Sequence, residues 1–170
     1  WTILESFKQS KKILPLRLTI FGDPLASEPE SWAKFQADIE TLNRKGWDIE
    51  NAGFKNDTVQ IYDNLDLLII PSIVPEAFGL TAIEAMVRGV IVIANRSGAL
   101  PEIIQNHRNG LLYNAQNFTE LLDLLARVFE NHYDIQSLRE EGFKSVSHFY
   151  HPDKQLNKLY DIVSRDNLMS

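Results

Sequence analysis

LLIIPSIVPEAFGLTAIEAMVRGVIVIA, residues 67–94, decides the fold. Its two ends, Leu67-Leu68-Ile69-Ile70 and Val90-Ile91-Val92-Ile93-Ala94, are short apolar runs bounded by turn residues, and the second, without alternation, has the pattern of a strand buried on both faces of a parallel sheet. Pro71 stops the first run, and a loop then leads to Gly79. Residues 80–88 carry a helical pattern that Gly89 can end. Parallel neighbours need a crossover, and a helix is the usual one, so the stretch reads as a strand-loop-helix-strand unit.

Outward from it, residues 16–21 form another apolar run before Gly22-Asp23-Pro24, and residues 48–52 and 110–113 are weaker strand candidates. Helical patterns cover 31–45, 58–64 and 119–131, the last placing Leu121, Leu125, Val128 and Phe129 on one face. This alternation predicts an α/β fold: a Rossmann-like, doubly wound parallel sheet with right-handed crossovers, binding ligands beyond the carboxyl ends of its strands. Residues 1–170 read as a single domain. The chain opens with a helical pattern (Trp1, Ile3, Leu4, Phe7) where such a unit ordinarily opens with a strand, so an upstream strand is expected. Residues 137–147 and 153–165 read as extra C-terminal helices.

Composition narrows the function. The chain is 44% apolar and 24% charged, as globular domains are, and its formal charge of -6 provides no global basic field for nucleic acid. Its longest nearly uncharged apolar stretch, residues 67–75, falls far short of the ~20 residues of a membrane span. With no cysteine, disulfides, thiolate catalysis and cysteine-bound metals are excluded. His107, His132, His148 and His151 stand in no ligand spacing, so no metal site is predicted. Trp1, Trp32 and Trp47 form no stripe interleaved with basic residues and read as packing residues, not nucleobase platforms.

The chemistry concentrates between Pro71 and Gly89. Gly79 at the helix entrance leaves room for a ligand, and the N–H groups of Leu80, Thr81 and Ala82 are predicted to point outward with the helix dipole behind them, a setting that attracts phosphate. Glu76 precedes the helix and Glu84 lies one turn inside it, a spacing that lets two carboxylates flank one ligand. Acceptor-only groups suit the hydroxyls of sugars. The macrodipole alone also favours acidic residues near a helix start, so spacing leaves both readings open.

This segment resembles the glutamate-x7-glutamate signature of the retaining GT-B glycosyltransferases of family 4, the group 1 glycosyltransferases. Glu76 and Glu84 have the required separation, and Ala77-Phe78-Gly79-Leu80 is similar to the common Gly-Phe-Gly-Leu. In the same order, residues 16–23 resemble "LxIxGxGP", 49–54 "VxFxGxV" and 66–72 "ADxxxxPS". Residues 90–94 with 97–104 resemble "PVVAxxxGGxPEVI", with Ser97 in place of a glycine, and 109–112 resemble "xNGLL". Together these span roughly residues 1–130.

The resemblance implies the C-terminal donor-binding half of a GT-B enzyme of polysaccharide biosynthesis. Such an enzyme moves a sugar, with retention, from a UDP-, GDP- or ADP-linked donor to a glycan, lipid or other acceptor, without cofactor or bound metal. It implies that Glu76 is the catalytic residue and holds donor-sugar hydroxyls, and that Glu84 accepts from the ribose hydroxyls. Phe78, Gly79, Leu80 and Thr81 would surround the sugar or diphosphate, and Phe54 would lie by the base. The implied partner is an N-terminal acceptor domain of the same protein, and the implied location is cytoplasmic, peripheral at the inner membrane face. The family's basic pair, in a pattern like "GRLxxxKG", would lie upstream of Trp1, so the isolated chain is expected to be inactive. A GT-B-fold nucleotide-sugar epimerase and a non-catalytic α/β interaction domain are the alternatives. Arg88 reads as a helix-end partner of dipole and solvent, not a diphosphate clamp; Glu102, after Pro101, suits cleft lining and helix opening equally. Residues 149–152 resemble the aromatic element before the family's terminal helix.

Overall fold

The computed structural model describes residues 2–22 and 29–149. Trp1, Asp23-Pro24, most of the aromatic element at 149–152 and the expected helix at 153–165 lie outside the described residues. The order is α1 (Thr2–Gln9), β1 (Arg17–Phe21), α2 (Pro29–Arg44), β2 (Asp48–Gly53), α3 (Thr58–Asp63), β3 (Leu67–Ile70), α4 (Leu80–Val87), β4 (Ile91–Asn95), α5 (Leu100–Ile103), β5 (Leu111–Tyr113), α6 (Phe118–Phe129) and α7 (Ile135–Phe149). Strand and helix alternate as expected, and every strand pairing is parallel.

The strands form two groups. β1 pairs with β2, and β3, β4 and β5 pair in that order; no ladder joins β1 to β3 among the described residues. Both groups nevertheless share one core. Leu18 and Ile20 of β1 and Leu67 and Ile69 of β3 pack against the same cluster, built on Leu4 and Phe7 of α1, Leu42 of α2 and Leu121 and Leu125 of α6. The opposite face of β3–β5 packs on α4, α5 and α7 through Ala82, Ala85, Met86, Leu100 and Val146. β4 divides its side chains by the two-residue period of a strand, Ile93 to the first core and Val92 and Ala94 to the second. All five of its residues are buried, which is why its sequence shows no polar alternation.

Two helix ends repay their sequence. α4 closes in a Schellman turn: Gly89 (φ 72°) donates to Met86 and Val90 donates back to Ala85. α6 ends likewise with Asn131 (φ 57°) in the glycine role and His132 donating to Arg127. On α6 the buried stripe is Leu121, Leu124 and Leu125, while Phe129, expected on that face, is 40% exposed. At 100° per residue Phe129 has rotated about 80° from Leu121, to the rim of the stripe, whereas Leu124 stays within about 60°. Trp47 is the packing residue it was read as, stacked on Phe7 with ring centroids 4.3 Å apart.

Candidate functional site

β3, β4 and β5 run parallel and so point their carboxyl ends to one side, and the loops leaving them there are tied together by one side chain. Asn95, the buried last residue of β4, donates from Nδ2 to the carbonyl of Ser72 (2.8 Å) and accepts at Oδ1 from the N–H of Ala115 (2.9 Å). The loop at Ser72 is thereby fixed relative to β4 and β5.

Beyond Ser72 the chain bounds an open hollow of about 460 Å³, lined by residues 71–77. Glu76 is on its wall, half-buried, with the Ser72 hydroxyl 3.4 Å from Oε1. The backbone of Glu76 is held from the β4–α5 loop: the N–H of Ala99 donates to its carbonyl at 2.8 Å. Gly98 packs flat against it. A Cβ on Gly98 would stand 2.5 Å from the Glu76 nitrogen, and φ at Gly98 is 57°, so only glycine fits both the backbone shape and the space.

Gly79 caps α4 in the left-handed conformation, φ 62°, with no side chain covering the helix start. The expected outward N–H groups are corrected in one case: Ala82 donates to the Gly79 carbonyl at 3.0 Å, a tight 3₁₀-type closure of the first turn. Leu80 and Thr81 keep uncapped N–H groups at the positive end of the helix. Gly79 itself is buried, and a Cβ there would meet Ile103 Cδ1 at 2.5 Å. Its lack of a side chain therefore serves the packing of α4 on α5 as well as access to the helix start. Val74, on the lining, is 78% exposed; Phe78 at 74% and Leu80 at 60% follow it in the chain and, like Gly79 and Thr81, are not among the lining residues.

Glu84 is on the exposed face of α4 and is not among the hollow's lining residues. It accepts from the Tyr62 hydroxyl, Oη to Oε2 3.0 Å. The two carboxylates thus share an element and its approach, but only Glu76 lines the hollow. Phe54 directly follows β2, 62% exposed, and is likewise not part of the lining. Arg88 pairs with Asp63 at 2.8 Å at the opposite end of α4, in accord with the helix-end reading. Glu102 is exposed on α5 directly after Pro101. Among the described residues no cluster of histidine, aspartate or glutamate could hold a metal ion, and no helix is long and apolar enough to cross a membrane.

Tyr62 and Asn95, which contact this segment, were not singled out by the sequence reading; Ser72 and Gly98 fell inside the stretches 66–72 and 97–104 without a packing role being assigned to them. Asn95 left a trace, a polar residue ending an otherwise apolar strand. Tyr62 left none, because its partner is 22 residues away.

The chain is thus an α/β domain of parallel strands, with an uncapped helix start and a carboxylate on a hollow beyond the carboxyl end of β3. Residues 2–145 match the family model "Glycosyl transferases group 1", and the chain belongs to that family. It is 33% identical over 106 residues to the lipopolysaccharide 1,2-N-acetylglucosaminetransferase of Salmonella typhimurium, a match covering 60% of this chain and 28% of that protein. Among solved structures it resembles Anabaena Alr3699/HepE in complex with UDP (TM-score 0.85, 21% identity, 96% of this chain and 44% of that one). It also resembles a glycosyltransferase from Rickettsia africae (TM-score 0.80, 24% identity, 95% and 42%). The chain therefore spans less than half the length of these relatives, and its α/β architecture is the one they share.

Proposed function

We propose that this chain is the C-terminal donor-binding domain of a retaining glycosyltransferase that takes its sugar from a nucleoside diphosphate. The observation that carries the proposal is Glu76 on the hollow, in the loop that leads four residues later into an α4 start whose Leu80 and Thr81 amides are uncapped. In this reading Glu76 accepts from donor-sugar hydroxyls and is the catalytic residue. The Leu80 and Thr81 amides, with Gly79 allowing close approach, meet the diphosphate, Phe78 covers the sugar, Glu84 accepts from the ribose hydroxyls, and Phe54 lies by the base. As the anomeric C–O bond breaks, the diphosphate gains negative charge. Amides already aimed at that position stabilise the departing group more than they stabilise the bound donor, which lowers the barrier.

Two further elements belong to the proposal. Among the described residues β1 and β3 each have an edge with no ladder while packing on one core, an arrangement that suits a further parallel strand between them. The β1–α2–β2 crossover places its helix on the α1 side. A preceding strand–α1–β1 unit of the same right hand would set its strand on the side of β1 away from β2, toward β3. The acceptor site and the opposite wall of the cleft then belong to an N-terminal domain of a longer polypeptide, acting in the cytoplasm and peripherally at the inner membrane face.

The test is calorimetric titration of the polypeptide carrying this chain with UDP, GDP and ADP and their sugar conjugates. One nucleotide series should bind. Glu76→Gln should remove most of the extra affinity conferred by the sugar, and Glu84→Gln should weaken nucleotide and conjugate alike, each by about 10- to 100-fold, the worth of a hydrogen bond to a charged group. No binding of any series, or titrations unchanged by Glu84→Gln, refutes the assignment.

A further inference from the structure

The described contacts of Glu84 include one from the protein itself, and it comes from an unusual direction. Tyr62 lies in the last turn of α3 with its ring in the core formed by Ile70, Ala82, Ala85 and Met86, 6% exposed. Its hydroxyl emerges from that core to meet Glu84 Oε2 at 3.0 Å. A glutamate on an exposed helix face ordinarily samples many rotamers, and each long side chain immobilised on binding costs affinity. Here a side chain whose own ring cannot move, being packed, grips one oxygen of the carboxylate and leaves Oε1, with the second lone pair of Oε2, for other donors.

We infer that Tyr62 is a positioning residue: from beneath α4 it fixes the Glu84 carboxylate in the orientation that receives the two hydroxyls of a nucleotide ribose. The inference rests on the ribose reading of Glu84 and adds to it the group that orients the carboxylate. Burial, with the hydrogen bond to Glu84 second, raises the Tyr62 phenol to about 12. The phenol is therefore a protonated donor at neutral pH.

The variant Tyr62→Phe keeps the ring in the core and removes only the hydroxyl. The measurement is the ratio of dissociation constants for the 2′,3′-dideoxy form and the parent of whichever nucleoside diphosphate, UDP, GDP or ADP, binds, taken on the polypeptide carrying this chain. The expected result is binding of the parent nucleotide weakened about three- to tenfold, the worth of ordering one side chain. The dideoxy analogue should be unaffected, so the ratio falls by the same factor. In a Glu84→Ala background the same Tyr62→Phe change should do nothing further. If both ligands weaken alike, or neither does, the hydroxyl serves only the fold and the inference is overturned. A Glu84→Ala ratio equal to that of the unaltered protein overturns the ribose reading itself. A Glu84→Ala ratio that collapses beside a normal one for Tyr62→Phe overturns only the role of Tyr62. Should Tyr62→Phe fail to fold, side-chain coupling constants of Glu84 in the unaltered chain decide the matter. A single rotamer is expected, and averaged couplings refute the proposal.

Discussion

Replacing Gly98 by alanine tests how the hollow is held open. Two separable costs are involved. The first is conformational: at φ 57° an L-residue is in the left-handed region, which costs roughly 1–2 kcal/mol. The second is steric, since the new Cβ would stand 2.5 Å from the Glu76 nitrogen and 3.0 Å from its carbonyl carbon. Those are backbone atoms, pinned by the Ala99 to Glu76 hydrogen bond, so no flexible side chain can yield. Overpacking of this kind adds about 1–3 kcal/mol. Gly89→Ala is the matched control, because Gly89 has a similar φ of 72° and open space where its Cβ would go. Urea unfolding should place Gly98→Ala about 1–3 kcal/mol below Gly89→Ala. Because the strain is relieved by pushing Glu76 away, titration of Gly98→Ala should show the affinity increment of a sugar nucleotide over its parent nucleotide lost, with the nucleotide itself still bound. Equal stabilities for the two variants would refute the claim that Gly98 is required by contact with Glu76. A retained sugar increment in a destabilised Gly98→Ala would refute the link from that contact to ligand binding.

Asn95→Ala should cost about 2–4 kcal/mol in the same unfolding assay, since it strips both the Ser72 carbonyl and the Ala115 amide of their partner, and Asn95→Asp should recover only the Ala115 half. Tyr113 is buried with no partner for its hydroxyl among the described residues, and burial raises it to about 12. The unfolded chain releases this proton near pH 10 while the folded chain keeps it. Tyr113 therefore withdraws stability as pH climbs from about 10 to 12, by up to about 3 kcal/mol. Tyr113→Phe should be neutral to slightly stabilising at pH 7 and should flatten the alkaline arm of a stability–pH curve; an unchanged arm would show that this phenol is not the group responsible.

The sequence made the backbone plan readable because local signals agreed with the tertiary fold. Residues 67–70, 80–88 and 90–94 became strand, helix and strand with ends shifted by at most a residue, since Pro71, Gly79 and Gly89 punctuate them chemically. The unjoined sheets were not readable, because alternation of elements reports their order but not which edges pair. Phe129 was misjudged for a geometric reason, its rotation out of the stripe at the last turn of α6. At the site, Glu76 and Gly79 announced themselves through spacing along one segment. Asn95, Gly98 and Tyr62 act on that segment from elsewhere in the chain, and periodicity carries no information about contacts between distant positions. The expected third outward amide, at Ala82, was lost to a tightening of the first helical turn that its residue types do not encode.

The edges of β1 and β3 that carry no ladder among the described residues also have a consequence for the 170-residue chain in solution. Main-chain donors and acceptors without a strand partner there, beside Leu18, Ile20, Leu67 and Ile69, are templates for any extended polypeptide, including another molecule of the same kind. Turbidity that grows with concentration and is suppressed by a short β-forming peptide is the behaviour such an open seam dictates.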